Sequence, residues 1–569
     1  SNVAIGHQAL DDNTTASGNV AVGNHALMNN HDGSNLVAVG DQALETLGTS
    51  SSNNTAIGAH AMQNSTTAEN CTAVGSLALR LNTSANDNTG IGYQALTHNT
   101  TGTDNTAVGR NSLANNTTAS NNTSVGNNAC GEVTTGSNNV AVGSFALDAV
   151  QTSANNTAVG TSALGNNTAA NNTAVGNEAL LANTTGTDNT AVGRQALDAV
   201  TTNSSNTAVG SAALTNSTGS YNTAVGADAL LSNTSANYNI AFGYRALRAN
   251  TTGLYNVAIG SEALETCTTS NNMTAVGFRA LEENTTGSTN TAVGGFSLDA
   301  NTEGYYNAAL GNDTLGANTT GIQNTALGTF ALASLTTSNN NTAVGYKAMF
   351  DGTTGHSNVA VGMQSADDMT TGYNNVCVGK DAGTDITTSH NNTLIGLLAG
   401  SNITTSDGTQ GCNICLGDNT TLSAATDDRS MVLGHNTTGL GSGTTIIRGG
   451  NGVFNSQNTT TWNTTSDERI KKNIVDNNIG LNIINQIQVR NFDYRTEEEI
   501  VDFDSPKAAV VKREGTQIGV IAQEIEKVLP QVVETLSTGV KTVDPSDLTW
   551  YLVNAVKELS AEVTALKAA

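Results

Sequence analysis

A short motif of the form N-T/V-A-V/I-G repeats along most of this chain, and its period limits the available folds more than any other feature. Its glycine stands at positions 6, 23, 40, 58, 75 and 92 and recurs to 434, in twenty-six copies. Almost every glycine-to-glycine interval is 17 residues, with a few of 16 or 18 and one of 21 between Gly396 and Gly417. A step of that constancy means one solenoid coil per repeat, since stacked units bury in each other what none can bury alone.

Residues 156–170, NTAVGTSALGNNTAA, show one coil. The residue before the glycine is large and apolar, as at Val159, Ile57, Phe242 and Leu310, and the alanine two before it is small and apolar. That alternation predicts a short strand with two faces. Ala and Leu follow at the third and fourth places after the glycine, as Ala9 and Leu10 or Ala163 and Leu164, where a second short strand or a turn is expected. The corner comes next, as Asn-Thr-Thr at 13–15, 116–118, 183–185 and 284–286. Asn tolerates left-handed backbone, and both side chains can bond local backbone groups. Gly, Asn and Thr are poor helix formers and the apolar spacing is not 3.6, so helix is excluded here. The Val or Ile and the Leu of each coil are expected to leave an apolar stripe along a lone solenoid, which self-association would bury. With coils about 4.8 Å apart, twenty-six of them make a rod about 120 Å long, a shaft rather than a pocket.

The 569 residues exceed one ordinary domain, and 59 Gly, 3 Pro and 4% aromatics do not build a large conventional core. The net charge of -25 is unevenly shared: residues 1–465 hold 30 acidic and 10 basic side chains, residues 466–569 hold 17 and 12. So acidic a surface repels nucleic acid and anionic membranes, and no apolar run of 18 residues offers a spanning helix. Neither nucleic-acid binding nor membrane insertion is expected. The six cysteines form no disulfide framework; Cys412 and Cys415 make a CxxC, but zinc normally takes four ligands, and Cys377 and Cys415 stand where other repeats have alanine. The eight His are spread out and no Walker, zinc or EF-hand pattern occurs, so no cofactor or metal is expected. The NxT/S sequons recur at the corner of the repeat and read as turn residues rather than as glycosylation sites. The chain opens inside a repeat, with neither Met nor signal peptide, as a fragment lacking its attachment region would.

Regularity then fails. The Leu four after the glycine becomes Ala366, Gly383 and Gly400, the 21-residue interval follows, and a Gly-rich stretch runs beyond Gly434. The expected division is a β-roll shaft over 1–400, an irregular distal tip or transition over 401–465, and a distinct domain over 466–569. From Ser466 the composition turns charged and aliphatic, as in a small α+β domain with a C-terminal helix. Asp547 is the expected cap of that helix. Leu552, Val556, Leu559, Val563 and Leu566 follow the spacing of a short coiled-coil seam, with Val and Leu alternating as in two strands, over too few layers to decide.

Two resemblances sit on these residues. The repeat NTAVGxxAL resembles the head repeats of trimeric autotransporter adhesins, which implies a trimeric left-handed parallel β-roll solenoid of about 17-residue repeats, a step longer than is usual in those heads. SDERIKKNI (466–474), FDY (492–494), GVIAQEIEKVLPQVV (519–533) and the closing helix resemble the intramolecular chaperone at the C-terminus of endosialidase tailspikes and other phage fibres. That resemblance implies a homotrimer in which the chaperone guides folding of the preceding β-structure and then cuts itself off. The cut would fall between Thr465 and Ser466, with Ser466 as nucleophile, Lys471 as general base and Asp467 orienting the turn. Where some relatives have a His two places before the motif glycine, this chain has Gln517 before Gly519.

A lysine serves as base only if its pKa falls toward neutrality, which Arg469 and Lys472 nearby and burial on assembly would promote. Five residues apart on a helix, Ser466 and Lys471 would point about 140° apart, so the pair needs a turn near Asp467 or partners from two chains. Alone, SDERIKK would read as a solvated helix start with Lys471 exposed. With the downstream motifs, the reading is a phage tail fibre of the virion, attached to upstream tail proteins and binding a host surface receptor. No external substrate is expected, only one self-cleavage. The alternatives are a bacterial surface adhesin, disfavoured by the charged C-terminal helix, and a glycan-degrading tailspike, which needs paired carboxylates such as Asp407, Asp418, Asp427 or Asp428. An ice-binding Thr array is disfavoured because Thr is expected at varied corners. Phe454 and Trp462 mark the 400–465 segment as the expected recognition tip, although Trp462 could equally pack against the chaperone.

Overall fold

The computed structural model describes residues 1–48, 51–404, 411–448, 453–455, 471–500, 515–535 and 539–569. The chain divides into two compact units, residues 1–464 and 465–569. The first is a parallel β-solenoid of about twenty-six turns, one three-residue strand per turn from Val3–Ile5 onward. Thr157–Val159 pairs in parallel with Val140–Val142 on one side and Thr173–Val175 on the other, so Ala158 lies between Ala141 and Ala174. Strands this short hold because each is bonded to two neighbours and because the core runs unbroken through all coils.

Ala158, Ala163 and Leu164 fill that core and are fully buried, each Leu contributing about 1.5–3 kcal/mol by leaving water. The stripe expected from Val159-type and Leu164-type residues together is therefore corrected. The turn after the glycine carries Leu164 into the coil, and only the residue before the glycine faces out, with Ile57, Phe242 and Leu310 at 40–46% exposure. No second strand begins after the glycine in the regular coils; a turn does, with Ser162 and Leu164 at φ 57° and 53° and Asn171 at φ 62° before the next strand. At the motif glycine, φ is +135° in Gly160 and an added Cβ would stand 2.4 Å from the Gly176 carbonyl oxygen, so no side chain fits.

The corner chemistry reaches further than local backbone. Thr184 Oγ1 donates to the Thr201 carbonyl of the next coil at 3.0 Å, and the same bond joins every coil from Thr234 to Thr404. Thr is thus in registered columns, not at varied corners. Inside, Asn183 Nδ2 donates locally to the Gly186 carbonyl at 2.9 Å and to Asn167 Oδ1 of the previous coil at 2.7 Å. A second buried column precedes the strands: Asn375 N donates to Asn358 Oδ1 at 2.9 Å, and Asn358 Nδ2 donates to the Gly372 carbonyl at 2.8 Å. Two amide columns in an apolar core are sustained because their side-chain NH2 groups donate within the coil and to the coil beside it.

The ladder does not stop at residue 400. Cys377 pairs with Leu394, Leu394 with Cys415, Cys415 with Val432 and Val432 with Ile446, keeping register to Arg448 before Val453–Asn455 returns antiparallel. The lost leucines are a core exchange. A Cβ on Gly400 would stand 2.6 Å from Leu394 Cδ2, and one on Gly383 would stand 2.9 Å from Leu394 Cδ1, because the large side chain has moved to the strand. In the coil of Leu394 and Gly400 the large side chain thus sits on the strand instead of in the turn.

Asp148, Asp198, Asp299 and Asp367 are half-sunk into the coil surface and Asp385 is more exposed, and partial burial raises the pKa of each above its usual value. A folded-state pKa above the unfolded one means the folded roll binds more protons, so this stabilisation is complete below the unfolded value and is lost as pH rises through the folded one. The thermal midpoint of the roll is expected to rise as pH is lowered from neutrality toward the ordinary carboxylate range. Calorimetry showing a falling midpoint over that interval would contradict the assignment.

The C-terminal unit is a small α+β body. Arg490–Phe492 pairs antiparallel with Gln517–Gly519, and Val533–Thr535 with Lys541–Val543, around a core of Ile525, Leu529 and Val532. The closing helix, Pro545–Ala568, starts earlier than expected: Asp544, not Asp547, is the cap, its carboxylate accepting from Ser546 N at 2.8 Å, with Pro545 in the first turn. Proline's fixed φ suits that position and sets the start.

Candidate functional site

The motif segments of the C-terminal unit come together in space. Phe492 pairs with Gln517 in the antiparallel pair of Arg490–Phe492 with Gln517–Gly519, and a Cβ on Gly519 would stand 3.1 Å from Phe492 Cε1, so the glycine of GVIAQ makes room for the phenylalanine of FDY. Arg490 grips Glu524 with two bonds, Nη2 to Oε1 at 2.9 Å and Nε to Oε2 at 3.2 Å, and this pairing holds the Glu524 carboxyl below its usual range. Lys541 Nζ donates to Glu526 Oε1 at 2.6 Å. Leu548 and Tyr551 of the closing helix pack on the Ile525–Leu529–Val532 core.

The same helix clamps the segment that leads away from SDERIKKNI. Asn554 Nδ2 donates to the Asn477 carbonyl at 2.5 Å, and Glu558 Oε2 accepts from Leu481 N at 2.8 Å. Between them Gly480 is buried so closely that an added Cβ would lie 2.1 Å from Ala555 N. Sequence reasoning passed over Asn554 and Glu558; the one signal was two polar residues four apart on a helix, which shares a face with many solvated pairs.

Thr465, Ser466, Asp467 and Arg469 lie outside the described residues, as does Trp462. Lys471 is exposed and outside any helix or strand, six residues before the clamped Asn477. Gln517 Nε2 donates to the Gly515 carbonyl at 2.7 Å. Leu552, Val556, Leu559, Val563 and Leu566 all stand exposed along the closing helix.

Other candidate groupings resolve into local roles. Cys415 faces the roll core, where burial pushes its thiol up to about 12, whereas Cys412 is exposed, so the CxxC does not converge. Among the described residues one carboxylate triplet, Glu262, Glu265 and Glu282, has ligand-like spacing, but guanidinium groups occupy it: Arg279 Nε bonds Glu262 at 2.7 Å and Arg248 approaches Glu265 at 3.5 Å. Asp418 faces His435 at 3.0 Å, Asp427 accepts from Ser423 Oγ at 2.5 Å and Asp428 pairs with Arg429 at 3.0 Å; Asp407 lies outside the described residues. Among the described residues no helix is long and apolar enough to cross a membrane.

Comparison with known families decides the character of the C-terminal unit. Residues 466–534 match the family model for the chaperone of endosialidase. No curated protein and no solved structure matches the chain. The endosialidase-chaperone match opens at Ser466, spans Lys471 and the Arg490–Glu524 pair, and ends at Glu534 within the strand Val533–Thr535. A parallel β-solenoid body carrying such a chaperone segment fits a tailspike-like or fibre-like protein.

Proposed function

We propose that this chain is the body and assembly chaperone of a trimeric phage tail fibre, and that it releases the chaperone by one self-cleavage between Thr465 and Ser466. The observation that carries the reading is the chaperone match beginning at Ser466, one residue from the division between the two compact units. In the proposed step Ser466 Oγ adds to the Thr465 carbonyl carbon while Lys471 Nζ takes the hydroxyl proton. The peptide nitrogen of Ser466 leaves as an amine, and water then hydrolyses the Thr465 ester. Asp467 orients the turn. Self-association is supported by two apolar rows in a single chain: the outward residues before the motif glycines, and Leu552 to Leu566 on the closing helix. Among the described residues the C-terminal unit's buried cluster is Ile525, Leu529 and Val532, and a core of that size gains from oligomerisation. The body is placed on the virion, joined to upstream tail proteins, with the segment around 400–465 meeting a host surface receptor once the chaperone leaves.

The test is denaturing electrophoresis with N-terminal sequencing of the small fragment, alongside sedimentation of the purified protein. A 104-residue fragment beginning at Ser466 and a trimeric body are expected. A mature chain that stays whole defeats the protease assignment, and a stable monomeric body defeats the fibre.

A further inference from the structure

Five places after the motif glycine, successive coils carry Arg80, Thr97, Ala114, Gly131 and Asp148. Two small residues in a row open a gap in this column of side chains, and the gap is a cavity of about 250 Å³. Over Gly165 the same column is covered, with Leu181 Cδ1 within 3.0 Å of where a Cβ would sit. Over Ala114 and Gly131 no apolar side chain closes the opening, and Gly131 lets Asp148 Oδ1 lean to 2.7 Å from its missing Cβ. With the coil step of about 4.8 Å, the slot from Thr97 to Asp148 is roughly 14 Å long.

Its lining is polar apart from Ala114 and includes the imidazole of His98, whose Nδ1 lies 2.9 Å from the Ala114 carbonyl oxygen. Gln94, Asn111 and Asn128 stand in one column beside the floor, and Glu132 in another. Asn111 Nδ2 donates to Asn128 Oδ1 at 3.0 Å, while Asn111 Oδ1 is buried with no hydrogen-bond partner. Burial first, and Glu132 next, raise the Asp148 carboxyl above its usual range, so two acids already crowd this end.

We propose that the slot is a subsite for one sugar residue, neutral or amino-substituted. Amide and carboxylate groups on neighbouring coils offer the alternating donors and acceptors that ring hydroxyls satisfy. The volume lies below the roughly 300–1,000 Å³ of sites for larger ligands, and the polar lining gives an apolar ligand nothing to bury against. Glu132 and Asp148 exclude acidic sugars and favour an ammonium substituent. This site stands on the shaft, apart from the segment proposed above to meet the receptor.

Saturation-transfer NMR on the intact protein, with glucosamine, N-acetylglucosamine, glucose and glucuronic acid as probes, tests it. Leu181 and Leu231 occupy this column in other coils, and Thr97 and Thr215 do too, so Ala114→Leu and Ala114→Thr fill the slot with residues the fold already accommodates. Transfer to the neutral and amino sugars is expected in the wild type, falling roughly ten-fold in either variant with unchanged thermal unfolding. Glucuronic acid is expected to give none. Equal transfer in wild type and variants, transfer to glucuronic acid alone, or no transfer to any probe would overturn the proposal.

Discussion

Replacing Ser466 with Ala is expected to leave an intact 569-residue chain that still assembles as a trimer. The hydroxyl forms the ester that splits the peptide bond, and nothing else at that position can, so no slower route through the same intermediate remains. Lys471→Ala should slow the cut by roughly 10²–10⁴-fold, the usual worth of a positioned base. Lys471→Arg should be no better, because a guanidinium keeps its charge at any working pH and cannot accept the proton. A lysine that merely formed an ion pair would be rescued by arginine, so recovery of cleavage in that variant removes Lys471 from the chemistry. Omitting residues 466–569 from the start should instead give aggregated body, because the outward apolar row would lack the assembly that covers it. A soluble, fibre-length body made without that segment would show the chaperone to be dispensable.

The second large effect belongs to the buried amides. Asn358 is fully buried, and its side chain accepts from Asn375 N and donates to the Gly372 carbonyl, which is also buried. Asn358→Ala strands both groups, at about 1–3 kcal/mol each, so the local loss is about 2–6 kcal/mol. In a stack where each coil touches only its neighbours, that loss is not shared along the rod. Thermal unfolding is expected to separate into two steps, and amide exchange to accelerate in the two coils around residue 358 while distant coils keep their protection. One transition with an unchanged midpoint would show that the Asn column adds nothing.

The period, the strand and the turn were legible because each is written many times and one-coil errors average out. What misled was the assumption that one residue type marks one face. Val159 and Leu164 are alike in hydrophobicity, yet the turn between them, through Gly160 and the left-handed Ser162, sends one outward and the other inward. Ala366, Gly383 and Gly400 read as decay of the repeat because the compensating Cys377, Leu394 and Cys415 sit in the following strands, where a single-column pattern does not look. Thr was read as a local turn former because its bond partner lies 17 residues away, in a coil whose register only the fold defines. In the C-terminal unit the motifs located the chaperone segment, but the contacts of Asn554 and Glu558 join residues 77 apart and leave no trace in spacing.

Most coils hold three non-glycine residues in the left-handed region, such as Ser162, Leu164 and Asn171. At about 1–2 kcal/mol apiece, an isolated coil begins with a deficit of about 3–6 kcal/mol before any chain entropy is counted. Only a finished coil alongside, offering its ladder carbonyls, its Asn amides and its leucine, reverses that sign. The roll therefore grows as a one-dimensional crystal does: starting is slow, and each layer after the first is quick. The time needed to make such a protein is set by how often a first layer is seeded and hardly by how many follow, which lets shaft length change by whole repeats with little penalty in folding rate.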